Sequence, residues 1–343
     1  MFRIRGGVLV AALGLAFSAE AQGGLPHTFV DGTPALADEV NANFRYVAPE
    51  NVVYVNAQPD ADVANGNALH DALASLASIG GPPGPGNRYL VKLRPGIYDL
   101  GNRGLVLPRW VFLEGVSERA TALKSTASTA ITLDIYSGLR SFSLDHVGGG
   151  STSIHVKSTA TSGVWPTFIR DIWLTTEPTS RATGILAEGA VTVVLRDLKI
   201  HTHGRGQTYG IHTTGNAYID AVDVDCRVTN INSSGAARAL FLDGSGRAKF
   251  HSSILGASGP QNEAYALGTG SNYSGILHVM GSQVTGSSSI FGQFAGSGKV
   301  YVATSELGGS YWVGSASNQT AVKCVYVYNH QLDALSRCDM APF

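Results

Sequence analysis

The feature that most constrains the fold of this chain is a spacing of apolar residues that repeats from Leu139 onward. One apolar residue recurs at intervals of 30, 26, 24, 31, 29 and 23 residues, and two further columns follow it three and five positions later. Side chains that keep such a register predict a solenoid, because stacked coils must build one continuous core. The columns are Leu139, Ile169, Leu195, Ile219, Phe250, Val279 and Val302; then Phe142, Ile172, Leu198, Val222, Ser253, Ser282 and Ser305; then Leu144, Leu174, Ile200, Val224, Leu255, Val284 and Leu307.

Each repeat also predicts a corner and a further strand. An offset of three residues followed by an offset of two cannot lie on one face of a straight strand, so the chain must bend just after the first column. The pairs Arg170-Asp171 and Arg196-Asp197 occupy that bend. After a loop, each repeat has a third short strand, with the predicted inward residues Ile154, Ile185, Ile211, Leu240, Ala266 and Ile290. We therefore predict an all-β chain with three strands per coil.

The coils begin near residue 51, where short strands alternate with turns. A first strand covers residues 52–55, and a helix that ends at Gly80-Gly81 is marked by Leu69, Leu73, Leu76 and Ile79. The run Pro95-Gly96-Ile97-Tyr98, with the strands after it, resembles the opening coils of right-handed parallel β-helix proteins, the pectate-lyase-like superfamily. The resemblance implies a right-handed parallel β-helix solenoid over residues 51–320 with short N-terminal helices. It implies no single activity, because this fold carries lyases, hydrolases, esterases, epimerases and inert spikes.

The N-terminal residues predict export. Arg3 and Arg5 precede an apolar run over residues 8–17, and Ala19-Glu20-Ala21 has small residues at the cleavage positions of a secretory signal peptide. We expect residues 1–21 to be removed and the product to be secreted, periplasmic or at the cell surface. No later segment has 18 uninterrupted apolar residues, so no membrane contact is expected after removal of the signal.

Residues 22–50 predict a helical segment, because Thr33-Pro34 suits a helix start. The stretch over residues 28–44 resembles a segment at the mature N terminus of many exported bacterial proteins and segments in phage tail fibres. That resemblance implies export or assembly into a homo-oligomer, and it implies no reaction. A helix that docks on the next domain is the other interpretation.

The cysteines fit an oxidising compartment. Cys324 and Cys338 enclose a short loop within residues 321–343, whereas Cys226 lies alone in the middle of the chain. We therefore expect a disulfide between Cys324 and Cys338 that closes a C-terminal cap, and a free Cys226.

Charge excludes one class of partner. Charged residues make up 14% of the chain and the formal net charge is −1, which argues against binding nucleic acid through bulk charge.

Alternation along the third strand places an ionisable patch on the outside of the coils. The predicted outward pairs are His155 and Lys157, Leu186 and Glu188, His212 and Thr214, Phe241 and Asp243, Leu267 and Thr269, and Phe291 and Gln293. Neighbouring strands lie about 4.8 Å apart, so Lys157, Glu188, His212 and Asp243 come from four adjacent coils. Long loops over residues 201–209, 227–238 and 256–264 are expected to form one wall of a groove. A groove of this kind suits an extracellular polysaccharide.

Two reactions fit these residues. Glu188 and Asp243 lie two coils apart, about 9.6 Å between backbones, and inverting glycosidases hold their carboxyl groups about 6.5–9.5 Å apart. If the protein is a hydrolase of this kind, one of the two carboxyl groups is the general acid and His212 adjusts its pKa. Lys157 then keeps the other carboxyl group ionised. A lyase would instead use Lys157, His212, Arg205 or Tyr209 to neutralise a uronate and remove its C5 proton. The expected substrate-binding residues are His201, His203, Arg205, Tyr209, Phe241 and Phe291.

Several alternatives remain open at this stage. The patch is also typical of a solvated solenoid face, and a non-catalytic surface or spike protein would use the exposed aromatic residues as a protein interface. No cofactor is expected, although Asp220, Asp223 and Asp225 could bind Ca²⁺ as aspartates do in pectate lyases. The chain departs from those enzymes, because it has no aspartate cluster on the groove strand and no Gly-His-Gly or Asp-Asp signature of polygalacturonases. His201 and His203 share a strand face but lack a third metal ligand.

Overall fold

The computed structural model of the protein describes residues 51–148, 151–158, 166–177, 180–232, 235–259, 264–287 and 289–308, and strands at residues 321–325, 327–329 and 334–335. The predicted signal peptide, the predicted segment over residues 22–50 and Cys338 lie outside the described residues. Within them the chain forms one helix and 26 strands. That helix does not have the length and hydropathy needed to cross a membrane.

The strands of the described residues form two sheets, and every pairing is parallel except that of the last two strands. The smaller sheet has eight strands: β4 (Leu105–Leu107), β7 (Thr129–Leu133), β9 (Ser151–Lys157), β11 (Ala182–Glu188), β13 (Thr208–Thr214), β15 (Ala237–Leu242), β18 (Ala264–Tyr273) and β21 (Ser289–Gly296). The larger sheet has 18 strands: β1 (Asn51–Val55), β2 (Tyr89–Leu93), β3 (Gly96–Asp99), β5 (Val111–Glu114), β6 (Thr121–Ser125), β8 (Gly138–His146), β10 (Thr167–Thr176), β12 (Thr192–Gly204), β14 (Tyr218–Asn230), β16 (Arg247–His251), β17 (Ile254–Ser258), β19 (Ile276–Met280), β20 (Gln283–Gly286), β22 (Lys299–Ala303), β23 (Glu306–Gly308), β24 (Ala321–Val325), β25 (Val327–Asn329) and β26 (Ala334–Leu335).

Successive coils stack in register and give the chain three faces. Ile169 pairs with Leu139 and Leu195 on the neighbouring coils, and Ile185 pairs with Ile154 and Ile211. We call the large-sheet segment before the corner the first face, the segment after it the second face, and the small sheet the third face. The architecture is a right-handed parallel β-helix, so the predicted fold class is confirmed.

The predicted corner is present in each of these coils as one residue with positive φ. Small polar residues and glycine tolerate the left-handed region better than bulky ones, which suits them to a sharp bend. Arg170-Asp171 and Arg196-Asp197 lie at this bend, as expected. The corner residues are Ser141, Asp171, Asp197, Asp223, Ser252, Gly281 and Thr304.

The structure corrects the register of one coil. Leu195 pairs with Ala221, Leu198 with Val224 and Ile200 with Cys226, so the prediction of Ile219, Val222 and Val224 for these columns was wrong by two residues. Val222 is only half-buried on the outside, whereas Ala221 and Cys226 are fully buried. The sequence misleads here because Ile219, also buried, starts a second set of residues with the same spacing, and because alanine and cysteine are small for core positions.

A second correction concerns the inward column of the third face. Leu240 pairs with Leu267, so Leu267 and not Ala266 continues the column of Ile154, Ile185 and Ile211. Ala266 and Leu267 are both buried, as are Ala239 and Leu240 one coil earlier. Strict alternation therefore fails at this point of the strand. The outward positions of β18 are Gly268 and Gly270, rather than the predicted Leu267 and Thr269.

The helix predicted from Leu69, Leu73 and Leu76 is α1 (Asp62–Gly80), which packs against β1 and β3. Leu69 and Leu76 are buried, whereas Ile79 is exposed. Gly66 lies so close to the first coil that a Cβ there would sit 1.8 Å from the carbonyl oxygen of Asp99. This close contact anchors α1 on the first coils of the solenoid.

The three serines of the second column form an internal hydroxyl ladder. The Oγ atoms of Ser253, Ser282 and Ser305 accept hydrogen bonds at 3.1–3.3 Å from the backbone N–H groups of Val224, Ser253 and Ser282 on the preceding coils. Each Oγ also donates to a carbonyl two residues earlier in its own coil, at 2.7–2.8 Å. The ladder satisfies backbone groups that the corner leaves unpaired inside the core.

Candidate functional site

Two outward columns on the third face bring most of the predicted catalytic residues together. Glu188 pairs with Lys157 and Thr214, and Asp243 continues this column because its N–H donates to the carbonyl of Thr213 at 2.9 Å. His212 lies in the next column, between Leu186 and Phe241. The predicted outward pairs therefore hold for β9, β11, β13 and β15. Thr214, not His212, stands directly between the two carboxylates.

The two carboxylates lean away from each other. Glu188 Oε2 accepts a hydrogen bond at 2.7 Å from Nε2 of His155, on the coil farther from Asp243. Asp243 leans the other way, because a Cβ at Gly270 on the following coil would lie 2.6 Å from its Oδ1. Their carboxylate oxygens are therefore farther apart than the two backbones, which are themselves separated by two strand spacings, about 9.6 Å. This arrangement does not favour the acid–base pair of an inverting glycosidase.

His212 lies in a cluster of aromatic rings. Its ring centroid is 4.8 Å from that of Tyr209, in a stacked arrangement, and 5.3 Å from that of Phe241. Burial and the nearby charges of Arg181 and Arg238 lower the pKa of His212 to about 4, although Asp243 acts in the opposite direction. At neutral pH the imidazole is therefore uncharged and can accept a proton or a hydrogen bond.

Two arginines flank this ring cluster. The guanidinium carbons of Arg181 and Arg238 lie 5.5 and 5.6 Å from the centroid of Tyr209, and that of Arg238 lies 4.9 Å from the centroid of Phe241. Nη1 of Arg238 donates to the Tyr209 hydroxyl at 3.3 Å. Neither guanidinium forms an ion pair with a carboxylate of the described residues. Two positive charges beside one neutral imidazole favour an anionic ligand.

A cleft of 300 Å³ opens beside these groups on the third face. Leu186 forms an apolar part of it, and the hydroxyl groups of three threonines supply neutral donors and acceptors. The full lining is Thr152, Arg181, Thr183, Leu186, Glu188, His212 and Thr214. The cleft therefore combines a cation, a carboxylate, an uncharged imidazole and hydroxyl groups, which is a suitable set for a polar sugar.

The predicted groove wall over residues 201–209 is not a long loop. His201 and His203 lie on β12 and point outward from the second face, and β13 begins at Thr208, so the connection is a short turn. Arg205 is exposed on that turn and is not a lining residue of the cleft. Tyr209 is 3% exposed, so it supports the site from beneath and its surface is not free to bind substrate.

The prediction that Leu267 is an exposed apolar residue is wrong. Leu267 is fully buried, and the residue that follows Phe241 in its column is Gly268. Phe241 belongs to the ring cluster, where it packs against Arg238. The predicted outward direction of Phe291 stays a prediction, because its side chain lies outside the described part of the structure.

Sequence reasoning missed three residues of this site. His155 was recognised as outward, but its proximity to Glu188 depends on side-chain direction, which register alone does not give. Arg181 lies just before β11 and Arg238 is the second residue of β15, ahead of the point where alternation fails at Gly184 and Ala239. A signal was available, since neither arginine has an acidic neighbour in the sequence.

The aspartates expected to bind Ca²⁺ do not converge. Asp220 lies on the first face, Asp223 at the corner and Asp225 on the second face. Asp220 and Asp225 each accept a hydrogen bond from an arginine, at 2.9 and 2.8 Å. These residues therefore do not fit a calcium site. Across the part of the chain that the structure describes, no group of three or more His, Cys, Asp or Glu residues is arranged to hold a metal.

A second cleft, of 540 Å³, lies at the corner between the first and second faces. Three of its five carboxylates, those of Glu118, Asp171 and Asp225, already pair with Lys199, Arg170 and Arg227 at 2.8–3.0 Å. Most of the negative charge in this second cleft is therefore neutralised by cations of the same chain. The positive charges of Arg181 and Arg238 beside the third-face cleft are not neutralised in this way by the described carboxylates.

Comparisons with known proteins identify the fold. No family profile matches the chain, and no curated protein sequence matches it. Among solved structures, pectate lyase Pel9A is 13% identical with a TM-score of 0.57, over 85% of this chain and 80% of that chain. An Acinetobacter phage tailspike protein and a pectin methylesterase in complex with a hexasaccharide are each 12% identical with a TM-score of 0.42, over 85% of this chain and 64% and 92% of theirs. The likeness to Pel9A establishes a pectate-lyase-like β-helix fold, and the other two carry no further argument.

Proposed function

We propose that this chain binds an acidic polysaccharide across its third face, with uronate carboxylates paired to Arg181 and Arg238. The observation that carries the proposal is that Arg181 lines the cleft, Arg238 lies against the Tyr209 and Phe241 rings beside His212, and neither guanidinium has an ion-pair partner among the described carboxylates. Guanidinium groups bind carboxylates through paired, charge-assisted hydrogen bonds. Pel9A, which has the same fold, is a pectate lyase, and this makes polyuronates the first ligands to test.

The polymer is extracellular in this proposal, because residues 1–21 have the pattern of a secretory signal. A β-helix face suits such a ligand, since equivalent positions on neighbouring coils repeat along the solenoid at the strand spacing, about 4.8 Å. Several sugar residues of one chain can then contact the same face.

Elimination is the cleavage chemistry that this site favours over hydrolysis. Arg181 and Arg238 would neutralise the uronate carboxylate, which acidifies the proton at C5, and the uncharged His212 can accept that proton. The electron pair of the C5–H bond then forms the C4–C5 double bond as the C4–O bond breaks, and the leaving oxygen takes a proton from solvent water. A base with a pKa of about 4 is inefficient at neutral pH, because general bases work best when their pKa lies near the working pH. Binding is therefore the primary function that we propose, and slow elimination is the reaction to assay.

The test is a binding and turnover panel. Purified protein is titrated calorimetrically with polygalacturonate, alginate and neutral dextran, and the same mixtures are followed for unsaturated products by ultraviolet absorbance and for reducing ends. We expect binding to a polyuronate, no binding to dextran, and a loss of at least about tenfold in affinity when Arg181 and Arg238 are both replaced by Gln.

The matched control is Arg119→Gln, an exposed arginine away from the cleft. It should bind as wild type does, and both variants should keep the wild-type circular dichroism spectrum. Equal binding by the double variant and the wild type overturns the proposal. Tight binding without unsaturated product or new reducing ends supports the non-catalytic surface or spike protein.

A further inference from the structure

A second cluster of cations lies on the first face, outside the cleft. Arg247 and Lys249 are exposed on β16, and Lys299 is exposed on β22, two coils farther along. His251 stands two residues after Lys249 on the same outward side. We call these four residues the basic patch. None of them forms an ion pair with a carboxylate of the described residues.

Register places an aromatic pair inside the basic patch. Lys249 pairs with His278, and His278 pairs with Tyr301, whose ring stacks on the imidazole at 5.0 Å. Burial and the charges of Lys249 and His251 lower the pKa of His278. Asp220 is the nearest carboxylate in this column, and it pairs with Arg196 at 2.9 Å. Two stacked aromatic rings are therefore bordered by cations.

The corner between the third and first faces connects the cleft to the basic patch. β15 and β16 are separated by four residues, 243–246, so Asp243 and Arg247 lie at the two ends of one turn. Each of the equivalent turns has a glycine of positive φ as its first or second residue: Gly189, Gly215 and Gly244. They pack so closely that a Cβ at Gly244 would lie 2.3 Å from the carbonyl oxygen of Gly215.

The residues that follow these glycines are also small: Ala190, Asn216 and Ser245. We call this corner the glycine ridge. Because no large side chain rises from it, a polymer can pass over it from one face to the other. The cleft belongs to the coils that contain β9 to β15, and the basic patch belongs to those that contain β16 to β22. A polymer on this path therefore also runs toward the C-terminal coils of the solenoid.

We propose that the basic patch is a second binding surface for the same acidic polysaccharide, which leaves the cleft over the glycine ridge and binds Arg247, Lys249 and Lys299. This inference rests on the proposed function of the cleft. When two surfaces of the protein bind one polymer chain, the affinity rises without any new contact at the first surface, because the second binding step is intramolecular. Long chains should therefore bind more tightly than short ones.

The size of the basic patch favours this ligand over two other polyanions. DNA-binding proteins neutralise about 6–10 phosphates, and membrane-binding clusters contain about 4–8 lysines and arginines. The basic patch has three permanently charged side chains among the described residues. It also has the His278–Tyr301 ring pair, on which a sugar ring can pack.

The experiment compares chain lengths. Affinities for long polygalacturonate and for its trisaccharide, and for long and trimeric alginate, are measured with the full chain, with R247E/K249E/K299E and with the control R119E. We expect the triple variant to lose about tenfold in affinity for the long polymer that binds the wild type, with a weaker salt dependence, and to bind the trisaccharide as wild type does. R119E should match the wild type with both.

The outcomes separate this inference from the proposed function. Both proposals are supported if R181Q/R238Q loses affinity for the long polymer and for the trisaccharide, while the triple variant loses affinity for the long polymer alone. Equal affinity of the triple variant for long chains, or an equal loss for the trisaccharide, overturns the second surface and leaves the cleft. Wild type that binds neither polymer overturns both. Binding of phosphatidylglycerol vesicles is measured with the same proteins. If the triple variant loses vesicle binding and keeps polymer binding, the second polysaccharide surface is overturned in favour of a membrane surface.

Discussion

The imidazole Nε2 of His155 donates a hydrogen bond of 2.7 Å to Oε2 of Glu188 on the adjacent coil. This contact draws the Glu188 carboxylate toward the N-terminal coils and away from Asp243. It also occupies one of the two carboxylates on which a hydrolytic mechanism depends. Side-chain direction thus decides between two reactions that backbone spacing leaves open.

Replacing Glu188 with Gln and Asp243 with Asn together should leave polyuronate binding and any elimination within a few-fold of wild type. The Glu188 side chain is 55% exposed, so loss of its hydrogen bond with His155 should reduce the free energy of unfolding by less than about 1 kcal/mol. Calorimetric titration and ultraviolet detection of unsaturated product measure both effects. A folded double variant without turnover, from an active wild type, would restore the two-carboxylate mechanism.

The corrected register is tested by a pair of aspartate substitutions. Leu198→Asp places a carboxylate in the core, where Leu198 is 2% exposed, and should cost several kcal/mol, about 4 or more. Val222→Asp should cost about 1 kcal/mol or less, because Val222 is outward and half-buried. Chemical denaturation measures both. Equal destabilisation by the two substitutions would support the original alignment of Val222 with Leu198.

Acid should destabilise the fold through His212. Its pKa is about 4 in the folded chain and near 6.5 when unfolded, so between these values the unfolded state binds more protons. The free energy of unfolding should therefore fall as the pH drops from 6.5 to 4, by on the order of 3 kcal/mol, and this contribution should level off below pH 4. Urea denaturation at several pH values should give a flatter profile for His212→Gln. An unchanged profile contradicts the assignment to His212.

His146 should add to the same acid sensitivity. It is fully buried, with Nδ1 2.9 Å from the Ser153 hydroxyl and Nε2 2.7 Å from the Ala127 carbonyl, and burial lowers its pKa. In the double variant of His146→Gln and His212→Gln, the remaining slope between pH 6.5 and 4 should be smaller than in either single variant. A slope equal to that of His212→Gln alone would exclude His146.

The disulfide remains a prediction with a direct chemical test. Native protein should show no reactive thiol, because Cys226 is fully buried and burial raises the pKa of its thiol. Denatured protein should show one thiol, and denatured, reduced protein three. Reduction should cost about 3 kcal/mol of stability for a loop of this length. Three thiols before reduction would refute the pairing of Cys324 with Cys338.

Periodicity predicted the fold because the same physical demand recurs in every coil. Leu139, Ile169 and Leu195 must fill equivalent core positions, and Asp171 and Asp197 must turn equivalent corners. The prediction failed where a coil met the demand with small residues, as at Ala221, or where two buried residues are adjacent, as at Ala266 and Leu267.

The site was less predictable than the fold. Alternation placed Glu188, His212, Phe241 and Asp243 on one face correctly, since that depends only on strand geometry. It could not show that Arg238 reaches over the ring of Phe241, because Gly268 on the next coil makes the room. A Cβ at Gly268 would lie 3.3 Å from that ring and 3.4 Å from Cδ of Arg238.

The serine ladder makes the length of this protein adjustable in whole coils. Ser253 and Ser282 are 29 residues apart and make the same two bonds, one to the coil before and one within their own coil. Excision of residues 254–282 would therefore let the Ser253 N–H bond to Ser305 and put Gln283 where Ile254 now stands. The cleft lining, which ends at Thr214, and Asp243 all precede the cut. Such a shortened chain would keep the cleft and lose His278, so it would separate binding at the cleft from the contribution of the ring pair in the basic patch.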